Sequence, residues 1–317
     1  MNYRLAATFF IALTMVFFRL PHAEAVAANR IIWDTPQIIP DSFVVPADTT
    51  LIIKSGVTIT TTNPDGANLE ILGNIVTSEG DPILFNNINI TIQSSSIELS
   101  HIINSELHGS INIEQGKVEI TKNKIISPDI GIAIYQSDNI IISQNDIQAT
   151  ESAITVEQSE NIEITKNNIH TSDIGILVGE GTSGNLEFNT LTGNGIGVQI
   201  NTQDTLTFSK NNIYQNNLTR LFPDDLDRNF GVKVINYSGL LNAAKNWWGC
   251  PTGPLLERLD DNVCEVISEN IDFQSWLEAQ AVYHLENSDL IIHEIMTNPS
   301  SGSKGEWLST QNRNVRF

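Results

Sequence analysis

Several residue types that common functional classes depend on are scarce in this chain. Its 317 residues include two cysteines, three methionines and six histidines. The His, Met or Cys clusters that metal handling needs are absent, and two cysteines with no histidine nearby make a poor zinc site. Basic residues are also few. Seventeen Lys and Arg stand against 37 Asp and Glu, a net charge of −20. Nucleic acid is therefore not an expected partner, and calcium or basic surfaces fit better. Acidic side chains on exposed strands also discourage edge-to-edge pairing. Long apolar runs are missing apart from Ala6–Phe18, which is too short to span a bilayer. Arg4 precedes that run, and Ala23-Glu-Ala25 or Ala25-Val-Ala27 offers small-residue cleavage sites. Residues 1–27 thus read as a secretory signal peptide, leaving no transmembrane segment in the mature chain. An uncleaved anchor is the alternative, disfavoured because Arg19 and Pro21 end the run.

What the chain does have is an internal repeat. Asn123, Asn145, Asn167, Asn189 and Asn211 lie 22 residues apart, each followed two positions on by Ile125, Ile147, Ile169, Leu191 or Ile213. Aliphatic columns such as Ile132, Ile154, Ile176 and Val198 keep the same period. Each unit reads as an alternating strand, a polar turn, a second short strand and a third alternating piece, with no room for a helix between Thr49 and Gln215. Leucine-rich repeats share the period but not the isoleucine dominance. The expectation is an all-β, right-handed parallel β-helix of about ten coils of about 22 residues. Asparagine suits the turn because it tolerates left-handed backbone and its amide can bond to the asparagines of adjacent coils. That structural ladder is the expected role, not catalysis. Around Asn189, the Leu186-Glu-Phe188 piece suggests a bulge.

Upstream, Val44–Ile59, Leu69–Ile75 and Asp81-Pro-Ile-Leu-Phe85 resemble the opening coils of secreted bacterial right-handed parallel β-helix proteins. Asn246-Trp247-Trp248-Gly249, then Gly253-Pro254 and Phe273-Gln-Ser275-Trp276-Leu277, is similar to the terminal signature of the same domains, with Ser275 where proline is usual. The resemblance implies a β-helix over 38–277. Trp247 and Trp248 are expected to cap the apolar bore, with Trp248 the buried one, in preference to stacking on sugar. In an exported chain, Cys250 and Cys264 read as a disulfide. After a linker at 278–288, Asp289–Pro299 and Gly305-Glu-Trp307 resemble the first strand and loop of a lamin-tail-like domain. At 289–317 this piece is too short for the roughly 100 residues of a β-sandwich, so it reads as a truncated start.

The chemistry is less legible. No G-H-G or D-P-H-D segment of the kind found in polygalacturonase-like or epimerase-like β-helices is present. Lys122, Gln144, Lys166, Phe188 and Lys210 form one mixed column, while His108 and His170 look isolated. A 12-residue insertion after Asn216 displaces the inward columns and brings Asp224, Asp225 and Asp227 into a loop, but without a calcium-loop pattern. Asp129, Glu151 and Asp173 share the 22-residue period and would stack about 4.8 Å apart. They form either a calcium site or a column of solvated turn residues. Calcium is the sole cofactor considered. The expected protein is a monomeric, secreted or cell-surface module with a structural, adhesive or carbohydrate-binding role. Its partners would be a polysaccharide or a cell-envelope component. The alternative is an enzyme, a polysaccharide lyase or glycoside hydrolase acting on a lateral face.

Overall fold

The computed structural model describes residues 29–94, 98–216, 229–235, 239–256 and 264–282, with the short strands Ile291–Ile292 and Thr310–Gln311. Three nine-stranded sheets run side by side, and every strand in them is parallel to its neighbours. Each coil gives one short strand to each sheet. Val118–Thr121 lies in the first sheet, Lys124–Ser127 in the second and Ile132–Tyr135 in the third. No helix occurs among the described residues. The architecture is the expected right-handed parallel β-helix. Nine strands per sheet make nine coils among the described residues, against the ten or so expected. Beyond them, among the described residues, shorter pieces continue the stack: Leu241–Asn242 beside Ile271–Asp272, and bridges from Asn212 to Trp247, Val232 to Ile267 and Leu255 to Val266.

The core follows from the alternation in the sequence. Successive side chains of a strand point to opposite faces, so every second residue enters the bore. Ile120, Ile142 and Ile164 from the first sheet, Ile125, Ile147 and Ile169 from the second, and Ile132, Ile154 and Ile176 from the third are all fully buried. Each contributes about 1.5–3 kcal/mol relative to exposure. Tryptophans lie at both ends. Trp33 packs edge-on against Phe43 at 5.1 Å in the first coil. At the far end Trp248 is fully buried, as expected, and Trp276 donates its indole N–H to the carbonyl of Pro251 at 3.0 Å. Trp247 sits half-buried against Tyr214. Cys250 and Cys264 form the expected disulfide, with Cα atoms 5.2 Å apart.

The asparagines turn inward and form a ladder. Asn145 donates its amide to the side-chain oxygen of Asn167 at 3.0 Å and to the carbonyl of Ile120 at 2.8 Å, and its backbone N–H also reaches Asn167 Oδ1. The pattern repeats at Asn123, Asn167, Asn189 and Asn211, and ends on Asn246. A second ladder at another corner joins Ser172, Asn194 and Asn216, and Asn216 N–H is received by the carboxylate of buried Glu265.

Two sequence expectations need correcting. The left-handed backbone belongs to the residue before each asparagine: φ is 59° at Lys122, 58° at Gln144, 61° at Lys166, 58° at Phe188, 58° at Lys210 and 60° at Lys245. This geometry swings the following amide into the bore. There is also no bulge near Asn189, because Ile164 pairs with Leu186 and Thr165 with Glu187 at the ordinary offset. Gly184 has merely replaced the inward residue Ile162 of the preceding coil. The expected insertion does displace the third sheet, with Val198 opposite Val232, 34 residues on. The displaced loop with Asp224, Asp225 and Asp227 lies outside the described residues, as do the signal segment 1–27, most of the linker 278–288 and nearly all of 289–317.

Candidate functional site

With the bore filled by aliphatic side chains, ligand chemistry is left to the three outer faces. There each coil contributes one or two outward residues per strand, and columns of them run along the axis about 4.8 Å apart. Two of these faces carry grooves.

On the first sheet, Glu79, His101, Asn104, Glu119, Thr121 and Lys122 line a groove of about 360 Å³. His101 Nδ1 lies 3.2 Å from Glu119 Oε2, and the Thr121 hydroxyl donates to Glu119 Oε1 at 3.1 Å. Asn104 donates its amide to the carbonyl of Gly80 at 2.6 Å. This is a histidine beside a carboxylate, with a lysine near. The sequence hid it, because the residues come from successive coils with different spacings. Chemically the groove is closed on itself, since both oxygens of Glu119 already accept bonds from protein groups.

On the third sheet the outward positions of three adjacent coils, Asn112 and Glu114, Ala133 and Tyr135, then Thr155 and Glu157, line a groove of about 490 Å³. Ala133 is opposite Asn112 on one side and Thr155 on the other, so its small side chain makes the floor of a depression between two polar neighbours. Tyr135 stands beside it, 42% exposed. The Thr155 hydroxyl is buried and has no hydrogen-bond partner among the described residues. A register shift, between Ile113 and Gln115 where they meet the preceding coil, falls at Glu114. Bulges of this kind re-aim a side chain.

The second sheet has a ribbon of paired charges. Glu106 accepts from Lys124 Nζ at 2.9 Å and from His108 at 3.2 Å, and these contacts, the lysine bond first, hold its carboxyl below the usual carboxylate range. His170 meets Asp146 at 3.1 Å, and Asn168 donates to the same oxygen at 2.7 Å. His108 and His170 are therefore not isolated: the next outward position of its own strand gives His108 a partner 2 residues away, and strand stacking gives His170 one 24 residues away.

Asp129, Glu151 and Asp173 do fall in one column. The Glu151 N–H reaches the Asp129 carbonyl at 3.0 Å, and the Ile174 N–H reaches the Glu151 carbonyl at 2.9 Å. Asp129 and Glu151 are exposed. Among the described residues, no group of three or more His, Cys, Asp or Glu side chains is gathered to hold a metal ion. Stacking sets the backbone register of this column but does not converge its carboxylates. In the mixed column, Lys210 bonds to Glu187 at 3.2 Å and lies 4.9 Å over the Phe188 ring. No helix among the described residues is long and apolar enough to cross a membrane.

Residues 108–246 match the family model described as a right-handed β-helix region, in agreement with the stacked sheets. No curated protein and no solved structure matches the chain. The fold defines a β-helix repeat protein, an architecture found among adhesins and polysaccharide-active enzymes alike, so its role has to be argued from the outer faces.

Proposed function

We propose that the protein is an exported β-helix module that binds carbohydrate along the outer face of its third sheet. The observation that carries this reading is the groove at Tyr135. It joins an exposed aromatic ring, an unpaired buried hydroxyl, an amide and two carboxylates over a small floor. Sugar rings present an apolar face and a rim of hydroxyls, and such a mixture suits both. A linear glycan lying along the axis would meet one polar set per coil. Export is supported by the Cys250–Cys264 disulfide, which persists in oxidising compartments.

A screen of the chain from Ala28 onward against a glycan panel tests the proposal, repeated with Tyr135→Ala. Binding that Tyr135→Ala weakens at least tenfold supports it. Absence of binding across neutral, acidic and amino glycans overturns it.

The second reading, a polysaccharide lyase or glycoside hydrolase, is favoured by one observation, the His101–Glu119 pair with Lys122 on the first sheet. Release of reducing ends or unsaturated products by the wild type, abolished in His101→Ala, would establish it.

A further inference from the structure

We infer that the third-sheet groove is built for an amine-bearing sugar, a hexosamine with its nitrogen free and protonated; this rests on reading the groove as the carbohydrate site. Glu114, Tyr135 and Glu157 occupy one outward column on three successive coils: Ile113 pairs with Ile134, which sets Glu114 beside Tyr135, and Tyr135 pairs with Glu157. At about 4.8 Å per coil the two carboxylates flank the ring about 10 Å apart.

Both are positioned by features of the fold. The register shift displaces Glu114, and the Gln93 amide donates to its carboxylate. Glu157 lies across Gly179, where any Cβ would come within 2.5 Å of the Glu157 Cγ. Only glycine leaves that stem its path along the next coil. The Glu157 carboxylate accepts no hydrogen bond among the described residues. Elsewhere on the outer faces, Glu106, Glu119 and Glu187 each meet a basic side chain of the protein. The Tyr135 groove contains no Lys, Arg or His. The missing counter-charge is what a ligand ammonium supplies, set between the carboxylates and against the tyrosine face. A uronate would meet two unscreened carboxylates on a chain of net charge −20, and is disfavoured.

The test is calorimetric titration, at low salt and at a pH where sugar amines are protonated, with four probes: a β-1,4-linked glucosamine oligomer, its N-acetylated counterpart, an oligogalacturonate and spermidine. The free-amine oligomer is expected to bind at least tenfold tighter than the acetylated one. Glu157→Gln and Tyr135→Ala should each weaken it about tenfold, the scale of one partly desolvated charge or cation–π contact. Glu163→Gln, on the exposed first-sheet face, should leave it unchanged. If both oligomers bind equally and Tyr135→Ala still weakens them, the groove remains a carbohydrate site and the amine inference falls. Spermidine binding as tightly as the oligomer would show that the groove reads charge alone and would also overturn it. No binding of any probe overturns both this inference and the reading it rests on.

Discussion

The two halves of the solenoid share a core but not a corner. From Glu119 to Asn212 the strands of the first two sheets advance by 22 residues per coil, as do those of the third from Ile132 to Ile196. The turn between the first and second sheets is closed in each of these coils by a buried asparagine bonded to the next. Upstream the bore is equally apolar, with Leu51, Ile71, Phe85 and Ile90 fully buried, yet the step between coils ranges from 18 residues (Ser100 opposite Val118) to 26 (Ser42 opposite Asn68). Hydroxyls take the place of the amide at that corner. Thr77 Oγ1, at the end of its first-sheet strand, accepts from the Ile103 N–H at 2.6 Å and donates to its carbonyl at 2.9 Å; at the other end of the next strand Ser100 Oγ accepts from the Ile75 N–H at 3.3 Å. Hydrophobic burial therefore suffices to stack coils, and the amide ladder accompanies coils of one length from Asn123 to Asn211. A side chain that bonds both neighbours fixes the register at its own corner, so the inserted segment is accommodated elsewhere in the coil and Asn211 still reaches Asn246, 35 residues on.

This contrast can be broken most severely at Asn167. It donates to Ile142 and Asn189 and accepts from the backbone and side chain of Asn145, all inside the bore. Asn167→Ala leaves several buried groups unpaired and should cost about 3–4 kcal/mol in urea unfolding, against about 1 kcal/mol for Thr77→Val upstream. Equal costs would remove the distinction between the halves. The C-terminal closure comes next. Replacing both cysteines by serine opens a loop of 14-residue separation and should cost about 3 kcal/mol. Because a solenoid is coupled only to its neighbours, hydrogen exchange should then quicken from Val232 onward and barely change at Ile154. Uniform acceleration along the chain would contradict that.

A smaller and opposite effect is expected at Gln144, held at φ 58°. Gln144→Gly removes the left-handed strain but frees the unfolded chain, so a gain of about 0.5 kcal/mol should appear in the midpoint. The smallest effect is electrostatic. Glu106 is held below its usual value of 4.5 by Lys124 and then His108. Its folded carboxyl thus binds a proton less tightly than the unfolded one. The stabilisation is present above about pH 4.5 and is lost as pH falls through the lowered value. Solvent screening keeps it slight. NMR titration should show the Glu106 midpoint rising in Lys124→Gln.

The sequence was most legible where one residue type recurs at one spacing. The asparagine column and its isoleucines announced the fold, and the terminal tryptophans announced their cap. Asn246 escaped as a ladder member because the inserted segment places it 35 residues after Asn211. The second ladder escaped because Ser172, Asn194, Asn216 and Glu265 do the same work with three residue types. The grooves were unreadable for a different reason. Each is assembled across three coils from residues separated by 18 to 24 positions, and no contiguous motif marks them. His101 with Glu119, or Tyr135 between Glu114 and Glu157, becomes a neighbourhood only once the register of each coil is known.

Amide chemical-shift mapping with a bound oligosaccharide tests the functional account most directly, because it separates the two grooves in one spectrum. The account predicts that shifts concentrate on Asn112–Glu114, Ala133–Tyr135 and Thr155–Glu157 of the third sheet. Shifts confined instead to Glu79–Gly80, His101–Asn104 and Glu119–Lys122 of the first sheet would contradict it.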